Sequence, residues 1–242
     1  MIVAIHQPNL FPRLKTLQKL ALADVWIILD DVQYCQREFQ NRAWIIPLSG
    51  AEYWCTIPVI LPQGRSTKIK DVIFDRDKAL KIISNMFKYS FKGDTRNKTI
   101  CDEIMEHLRS CKGGFSDFIV DSTTSLLELS GQRPLIVKSS ELNDVTVGKT
   151  EKLIALCKKI GGDTYISDSG GSHYLDESLF IENNLKLIWH IWETPEIPLI
   201  KYMGKNIRNG SGINILARSQ QDFIDLVSQC KVSKIKHYAE GK

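Results

Sequence analysis

The sequence predicts an α/β fold with a parallel, Rossmann-like sheet flanked by helices. Residues 2–5 and 25–29 are short, continuous apolar runs, and residues 13–23 between them place apolar side chains at spacings of three and four. A strand, an amphipathic helix and a second fully apolar strand, in this order, are typical of a βαβ unit whose sheet is covered on both faces.

The later part of the chain repeats this rhythm. Residues 135–138 predict a strand, and residues 149–159 predict a helix that Gly161 and Gly162 stop. Residues 164–167 predict the next strand, which runs into a glycine-rich loop. The pattern is completed by a strand at 188–192 and a helix at 215–227.

The middle of the chain interrupts the pattern with a helical insertion around residues 75–130. Its three predicted helices cover residues 78–89, 98–109 and 115–129. Before it, residues 53–60 predict an edge or hairpin strand, and residues 63–70 predict an exposed loop. We therefore expect a single α/β domain over residues 1–230, followed by a loosely held basic C-terminal tail at 231–242.

Composition excludes several classes of protein. The 242 residues carry a formal net charge of +4, which is too mild to indicate nucleic-acid binding without a basic cluster. The six cysteines form no CxxC pair, so they indicate separate thiols in a reducing cytoplasm and neither a zinc site nor a disulfide framework. No stretch resembles a signal peptide or reaches the roughly 18 apolar residues of a membrane span. We therefore expect a cytoplasmic protein.

Ligands of open parallel sheets bind beyond the carboxyl ends of the strands. Three loops follow such ends, and they cover residues 6–9, 30–34 and 167–174. His6 is a candidate proton acceptor near neutral pH, and Asp30 and Asp31 are candidates to orient an amine or to hold a ribose hydroxyl. The alternative is structural, with a hydrogen-bonded histidine and a carboxylate pair that caps the next turn.

Two further groups of residues indicate a ligand with phosphates or sugar rings. Arg37 and Arg42 lie among aromatic residues, a combination that suits a nucleotide-linked sugar; the alternative is a solvated loop. The glycine-rich residues 167–174 predict backbone N–H groups that cradle a phosphate; the alternative is a simple turn. The candidate substrate-binding residues are Gln7, Asn9, Gln33, Tyr34, Arg37, Asn41, Arg42, Ser167, Gly170, Gly171, His173, Tyr174 and Asp176.

No cofactor is demanded by the spacing of these residues. Asp30 and Asp31, together with Asp168 or Asp176, offer oxygen ligands of the kind that Mg²⁺ prefers. The sequence therefore leaves the binding of Mg²⁺ undecided.

Several motifs closely resemble those of the WbqC-like family of bacterial proteins. IHQPNLFP, ADVWIILDDVQY and FQNRAWI resemble the opening signature of that family, and TYISDSGGSHYLDESLF resembles its second block. Members typically belong to gene clusters for O-antigen and other surface polysaccharides, and a glycyl or acyl transferase acting on an amino sugar has been proposed for the type member. The resemblance implies a carbohydrate-modifying enzyme.

The chain departs from that pattern at two places. Residues 12–15 read PRLK where the family usually has an aromatic residue and a glycine, and His173 stands where a small residue is common. A weaker similarity links the first strand, helix and ADVWIILD to nucleotidylyltransferases and pantothenate-synthetase-like enzymes. Those enzymes use an HxGH pair of histidines, whereas residues 13–16 read RLKT, so their ATP chemistry would be lost or replaced.

The leading hypothesis is a transferase that adds an acyl or aminoacyl (glycyl-like) group to the amine of a nucleotide-linked amino sugar. His6 or an aspartate would take the ammonium proton, and backbone N–H groups near Gly170 and Gly171 would stabilise the oxyanion. Arg37 or Arg42 would bind the diphosphate. The partners would be a nucleotide sugar and an acyl or aminoacyl donor, such as an aminoacyl-tRNA.

Two other functions need the same concave, partly basic site. One is an ATP-dependent carboxylate-activating or nucleotidylyltransferase-like enzyme. The other is a non-catalytic sugar-nucleotide-binding protein.

Overall fold

The computed structural model describes residues 1–48, 51–91, 95–143, 146–168, 170–192, 210–228 and 235–237. The strands are β1 (Ile2–His6), β2 (Val25–Ile28), β3 (Arg42–Ile45), β4 (Tyr53–Thr56), β5 (Val59–Ile60), β6 (Ile73–Phe74), β7 (Leu135–Lys138), β8 (Thr164–Asp168), β9 (Lys186–His190) and β10 (Ile235–His237). The helices are α1 (Leu14–Ala21), α2 (Arg76–Ser90), α3 (Thr95–Ser110), α4 (Phe115–Leu129), α5 (Lys149–Lys159), α6 (Glu177–Glu182), α7 (Ile213–Leu216) and α8 (Gln220–Ser228).

Five parallel strands form the main sheet in the order β9-β8-β1-β2-β7, which confirms the predicted α/β class. Counted along the chain and read from the β7 edge, these strands run third, second, first, fourth, fifth. This is the Rossmann strand order, and its direction of winding reverses between β1 and β8. The carboxyl ends of β1 and β8 therefore flank the crevice in which ligands of such sheets bind.

β10 adds an antiparallel strand to the sheet at the β9 edge, with Ile235 opposite His190 and His237 opposite Ile188. This strand lies within residues 231–242, which the sequence predicts to be a loosely held tail, and its pairing with β9 satisfies backbone groups at the sheet edge. The rest of the predicted tail, residues 231–234 and 238–242, lies outside the described residues.

Both faces of the sheet are buried, as the continuous apolar runs predict. Ala4 and Trp26 belong to one core cluster, with side chains from α1, α4 and α8. Val3 and Ile27 belong to a second cluster, with Leu156 and other side chains of α5. Neighbouring residues of each strand enter opposite clusters because successive side chains of a strand point to opposite faces.

Helix α1 is buried on nearly all sides, and not only along its apolar face. Seven of its eight residues are buried, including its polar residues Gln18 and Lys19. Gln18 Nε2 donates a hydrogen bond of 2.8 Å to the carbonyl oxygen of Leu226 in α8. A Cβ at Gly212 would lie 2.5 Å from Leu17 Cδ1, so the segment before α7 requires glycine to approach α1 this closely.

The end of α5 agrees with the sequence prediction. Gly161 adopts a φ of +73°, the left-handed conformation that favours glycine after a helix. The Gly162 N–H then donates to the carbonyl oxygen of Cys157 at 2.9 Å, which satisfies one of the last carbonyl groups of the helix.

The connection from β2 to β7 contains the predicted helices as α2, α3 and α4, but its β structure differs from the prediction. Residues 53–60 form two strands in separate sheets, because β4 pairs with β3 whereas β5 pairs with β6. The loop at 63–70 is only partly exposed, since Thr67 and Ile69 are fully buried. The Thr67 carbonyl oxygen accepts a hydrogen bond of 2.8 Å from the Tyr34 N–H, which draws the loop onto the chain after β2.

The helix predicted at 215–227 is divided into α7 and α8. Arg218 lies at the break and donates to the carbonyl oxygens of Ile46 and Pro47 at 3.0 and 2.8 Å. Ser219 Oγ accepts from the Asp222 N–H at 3.1 Å, so α8 begins with its own capping residue. The contact to residues 46–47 is long-range, and helical spacing could not reveal it.

Candidate functional site

A cavity of about 450 Å³ opens at the carboxyl ends of β1 and β8. This is the reversal point of the sheet, and the volume lies within the roughly 300–1,000 Å³ of small-molecule sites. Its lining residues are Ile5, His6, Gln7, Asn9, Arg13, Lys19, Leu29, Cys35, Glu38, Phe39, Leu153, Tyr165, Ser167, Asp168, Gly170 and Tyr174. The first and third of the three loops singled out in the sequence therefore meet at one cavity.

A second, larger depression of about 590 Å³ lies between β4 and α2. Its lining is largely apolar and aromatic, with Tyr53, Met86 and Tyr89 among its residues. It contains none of the predicted site residues and no carboxylate, lysine, arginine or histidine. The cavity at the ends of β1 and β8 is therefore the candidate site.

His6 is the last residue of β1, and both of its ring nitrogens have hydrogen-bond partners. Nδ1 lies 3.1 Å from Lys19 Nζ, and Nε2 lies 3.1 Å from Asn9 Nδ2. Its own carbonyl oxygen accepts from Trp26 Nε1 on β2 at 3.3 Å. These contacts hold the imidazole between α1 and the loop that follows β1.

Lys19 and Asp168 bring opposite charges to the floor of the cavity. Lys19 Nζ lies 3.6 Å from Asp168 Oδ2, and the two side chains are 3% and 24% exposed, respectively. Asp168 Oδ1 accepts a hydrogen bond of 2.9 Å from the Gly170 N–H. A lysine this deeply buried requires a charged partner, and Asp168 supplies it across the reversal point of the sheet.

These neighbours move the pKa values of the cavity residues in definite directions. Burial, and then the charge of Lys19, lower the pKa of His6 well below its usual value, so the imidazole is neutral at pH 7. Burial also lowers the pKa of Lys19, although the carboxylate of Asp168 opposes this effect. Burial alone would raise the pKa of Asp168, but the charges of Lys19 and Lys15, together with that of His6 when its ring is protonated, outweigh it and keep the carboxylate ionised.

The rim of the cavity combines aromatic rings with polar groups. The Arg13 guanidinium lies 4.3 Å above the Phe39 ring, a cation–π contact. Tyr174 is 49% exposed, so a face of its ring is accessible to a ligand. Gln7 Oε1 accepts from Gln40 Nε2 at 2.8 Å, which leaves the amide N–H groups of Gln7 as donors.

In the glycine-rich loop, Gly171 allows close packing, and the N–H group of Gly170 is not free for a phosphate. A Cβ at Gly171 would collide with Ser167 Oγ and lie 2.9 Å from Leu175 Cδ1, so only glycine fits there. The Gly170 N–H is already bonded to Asp168. Ser169, also part of this predicted loop, lies outside the described residues.

Asp30 and Asp31 lie at the end of β2 and do not line the cavity. Asp30 is 1% exposed, and its carboxylate accepts from the Ser140 N–H at 3.0 Å and from Ser140 Oγ at 2.9 Å. Asp31 accepts from Ser139 Oγ and Lys152 Nζ, both at 2.6 Å. Burial alone would raise the pKa of Asp31, but these hydrogen bonds outweigh it and lower the pKa. We call Asp30, Asp31, Ser139, Ser140 and Lys152 the β2–β7 clamp.

Several other predicted substrate-binding residues also lie away from the cavity lining. Tyr34 is buried with its ring edge-on to Phe115, and burial raises its pKa to about 12. Asn41 Nδ2 donates to the carbonyl oxygen of Ile57 at 2.8 Å. Arg42 lies 4.0 Å above the Trp54 ring.

The remaining predicted residues are at the surface or in packing roles. Gln33, Arg37 and His173 are exposed, and Asp176 caps α6 by accepting from the Ser178 N–H at 3.0 Å. Of the candidate site residues, the cavity lining thus contains six, which are His6, Gln7, Asn9, Ser167, Gly170 and Tyr174.

The sequence analysis missed the two basic residues that the cavity gains from the chain around α1. Lys19 lies off the apolar face of that helix, so helical spacing assigns it to solvent, and Arg13 stands at the start of the predicted helix, where nothing in the spacing marks it as a ligand-binding residue. Asp168 was considered only as a ligand of Mg²⁺. A signal for it was present nonetheless, because an acidic residue ends an apolar strand there, as at Asp30.

Within the described residues, no group of three or more histidine, cysteine, aspartate or glutamate side chains is arranged to hold a metal ion. The carboxylates that the sequence offers for Mg²⁺ have other partners. These are the serines and lysine of the β2–β7 clamp for Asp30 and Asp31, Lys19 for Asp168 and Ser178 for Asp176. None of the helices in the described part of the chain is long and apolar enough to cross a membrane.

The strand order and the cavity at its reversal point define a Rossmann-like α/β protein with a polar cavity of small-molecule size. The chain belongs to the WbqC-like protein family, whose sequence profile matches residues 7–202. It is also 26% identical over 191 residues to the uncharacterized protein Rv1507c of Mycobacterium tuberculosis, across 77% of this chain and 80% of that protein. No solved structure matches the chain.

Proposed function

We propose that the protein transfers an acyl or aminoacyl group to the amine of a nucleotide-linked amino sugar in surface-polysaccharide synthesis, with His6 as proton acceptor. An amine attacks a carbonyl carbon only after its ammonium form has lost a proton, so the reaction needs a base that is unprotonated near pH 7. The observation that carries the proposal is the position of the His6 imidazole in a cavity of ligand size, 3.1 Å from Lys19 Nζ and beside the Lys19–Asp168 ion pair. Burial, which lowers the pKa of His6, supports its role as the base.

The charges around the cavity support a substrate that bears phosphates. Arg13 and Lys19 line it, and Lys15 is close enough for its charge to act on His6 and Asp168. Guanidinium groups bind phosphate oxygens in pairs. We assign the diphosphate to Arg13 at the rim, in place of Arg37 and Arg42, which lie outside the cavity lining.

The aromatic rings at the rim support a sugar or nucleobase as the rest of the substrate. The exposed ring of Tyr174 and the ring of Phe39 beneath Arg13 offer flat apolar faces. Side-chain amides of Gln7 and Asn9 would orient polar groups of the substrate and stabilise the oxyanion, because the Gly170 N–H is occupied by Asp168.

The direct test combines the purified protein with nucleotide-linked amino sugars and either acyl thioesters or aminoacyl-tRNA. Mass spectrometry then follows the gain of an acyl or aminoacyl group by the sugar nucleotide. We expect His6→Gln to lower the rate by about 10²- to 10⁴-fold, the usual contribution of a positioned base. His107→Gln is the matched control, because His107 lies on α3 and outside the cavity lining, and it should leave the rate unchanged.

Two results would contradict the proposal. Tight binding of the sugar nucleotide with no mass gain from any donor would favour a binding protein. Release of pyrophosphate from ATP in a Mg²⁺-dependent reaction would favour a carboxylate-activating or nucleotidylyltransferase-like enzyme.

A further inference from the structure

Both ring nitrogens of His6 face a hydrogen-bond donor, and whether both contacts can be hydrogen bonds depends on the position of one proton. A neutral imidazole has one nitrogen that donates and one that accepts. A charged Lys19 ammonium only donates, and so does the Asn9 amide nitrogen, yet they face Nδ1 and Nε2 of the same ring at 3.1 Å each. A neutral ring can satisfy only one of them.

Two arrangements remove the conflict, and they differ by one proton. In the protonated arrangement, the Lys19 ammonium donates to Nδ1, Nε2 carries the ring hydrogen, and the Asn9 amide is rotated so that its oxygen accepts. In the deprotonated arrangement, Lys19 is a neutral amine that accepts from Nδ1–H, and Nε2 accepts from Asn9 Nδ2. Only the second arrangement presents an unprotonated Nε2 to the cavity, so the Lys19–Asp168 ion pair must lose its proton before His6 can take one from the substrate. Burial, which lowers the pKa of Lys19, favours that loss, and the carboxylate of Asp168 opposes it.

We propose that His6 and Lys19 form a two-site proton relay. A substrate ammonium gives its proton to His6 Nε2, and His6 passes the hydrogen on Nδ1 to Lys19 Nζ. The substrate nitrogen gains a free lone pair, the imidazole ends neutral with its hydrogen on Nε2, and Lys19 ends as an ammonium. This step rests on the proposed function, in which His6 is the catalytic base and Lys19 acts through it as a positioning residue.

The relay resets during the second half of the transfer. The amine forms a bond to the acyl carbon, and the bond from that carbon to the donor's sulfur or oxygen breaks. The departing atom takes the proton from His6 Nε2, and Lys19 returns a proton to Nδ1. The other proton lost by the substrate nitrogen passes to water, so the transfer releases one amide, one protonated leaving group and one proton.

The charges around the pair suit this cycle. Asp168 Oδ2, 3.6 Å from Lys19 Nζ, stabilises the ammonium that the relay creates. Arg13 and Lys15 oppose further positive charge at His6, and Glu38 acts on Arg13 from the other side. The nearby phenols, Tyr165 and Tyr174, have pKa values raised by burial, so they are neutral near pH 7 and leave this balance unchanged.

The test is nitrogen NMR of the ¹⁵N-histidine-labelled full chain over a pH series, which shows which ring nitrogen of His6 carries the hydrogen. We expect the hydrogen to move from Nε2 to Nδ1 as the pH rises through the titration of the pair, while the ring stays neutral. In Lys19→Met the neutral ring should keep one tautomer, and the imidazolium should form at a higher pH because the Lys19 charge is gone. The signals of His107 serve as the internal control.

A second variant guards against a folding defect in Lys19→Met. Asp168→Asn removes the charge that stabilises the ammonium, so the tautomer change should move to lower pH. A wild-type ring that keeps one tautomer throughout, or a tautomer change that persists in Lys19→Met, would overturn the relay.

Activity separates the relay from the proposed function. Lys19→Met should lower the transfer rate by about 10- to 100-fold, less than the loss of the base itself. Acyl transfer without a tautomer change overturns the relay and leaves the transferase intact. A tautomer change in a protein that transfers nothing supports the relay as a proton-binding pair and overturns the transferase.

Discussion

The ends of β1 and β2 resemble each other in sequence and differ in what the fold does with them. Each is a buried strand that runs into ionisable residues, His6 in one case and Asp30 with Asp31 in the other. At the end of β2, serines and a lysine contact the carboxylates directly and form the β2–β7 clamp. At the end of β1, the partner strand is β8, and the ionisable groups line a cavity.

The difference follows from where the sheet changes its winding direction. β2 and β7 lie on the same side of the reversal point, and the 3₁₀ turn Ser139–Glu141 brings the serines of the clamp against the aspartates. β1 and β8 lie on either side of that point, so their following loops separate and leave a crevice. Ionisable residues that are satisfied within the protein stabilise it, whereas those facing a crevice are available to a ligand.

The largest expected effect is a difference in catalytic rate between substitutions at the end of β1 and at the end of β2. His6→Gln should lower turnover by about 10²- to 10⁴-fold but change the free energy of unfolding by less than about 1 kcal/mol at pH 7. Asp31→Asn should leave turnover within about twofold, since Asp31 belongs to the β2–β7 clamp. Parallel rate assays and urea titrations measure both. Equal losses of activity in the two variants would remove the distinction between the two ends.

The next effect concerns the stability of the β2–β7 clamp. Asp30→Ala leaves the Ser140 N–H and hydroxyl without their buried acceptor, so the free energy of unfolding should fall by about 3 kcal/mol. Urea denaturation followed by circular dichroism measures the change. Asp176→Ala is a comparison at an exposed cap and should lower the free energy of unfolding by clearly less than Asp30→Ala does. A loss at Asp30 no greater than at Asp176 would show that the clamp contributes little.

A smaller effect is expected for the ion pair within the clamp. Asp31 and Lys152 are 14% and 20% exposed, and their charged atoms lie 2.6 Å apart. A double-mutant cycle with Asp31→Asn and Lys152→Met should give a coupling of about 1 kcal/mol, at the upper end for pairs that water partly screens. A coupling near zero, with both single variants folded, would contradict the short contact.

The ends of β1 and β2 should affect the stability of the protein in two different pH ranges. The folded pKa of His6 is lowered below 6.5, so the unfolded chain takes up a proton first and stability declines as the pH falls below about 6.5. The folded pKa of Asp31 is lowered below 3.8, so its stabilisation is present above that pH and is lost as the pH falls through the folded value.

Thermal unfolding at pH values from 8 to 3 tests these windows. His6→Gln should flatten the decline that begins near pH 6.5, and Asp31→Asn should reduce the decline below pH 4. The second effect is a reduction and not a loss, because Asp168 also has a lowered pKa. Identical pH profiles of His6→Gln and the wild type would contradict a neutral, buried His6.

Local patterns in the sequence were enough to predict most of the main sheet. The runs at 2–5 and 25–29 are strands covered on both faces, and the glycines after α5 stop that helix. Long-range contacts decided what these patterns missed, such as the break between α7 and α8 at Arg218 and the division of residues 53–60 between two sheets. Hydrophobic spacing reports only how a segment meets its immediate surroundings.

The candidate site, like the fold, could be predicted from the sequence only in part. The sequence by itself determined that His6 and the glycine-rich loop follow apolar strands, because strand ends and turn residues are local features. Only the tertiary structure decided that β1 lies beside β8, which joins His6 to Asp168, and that α1 is enclosed, which buries Lys19 between them. The physical reason is that strand order and burial depend on contacts between distant segments, and the ionisation of a buried group depends on the charges those contacts bring near it.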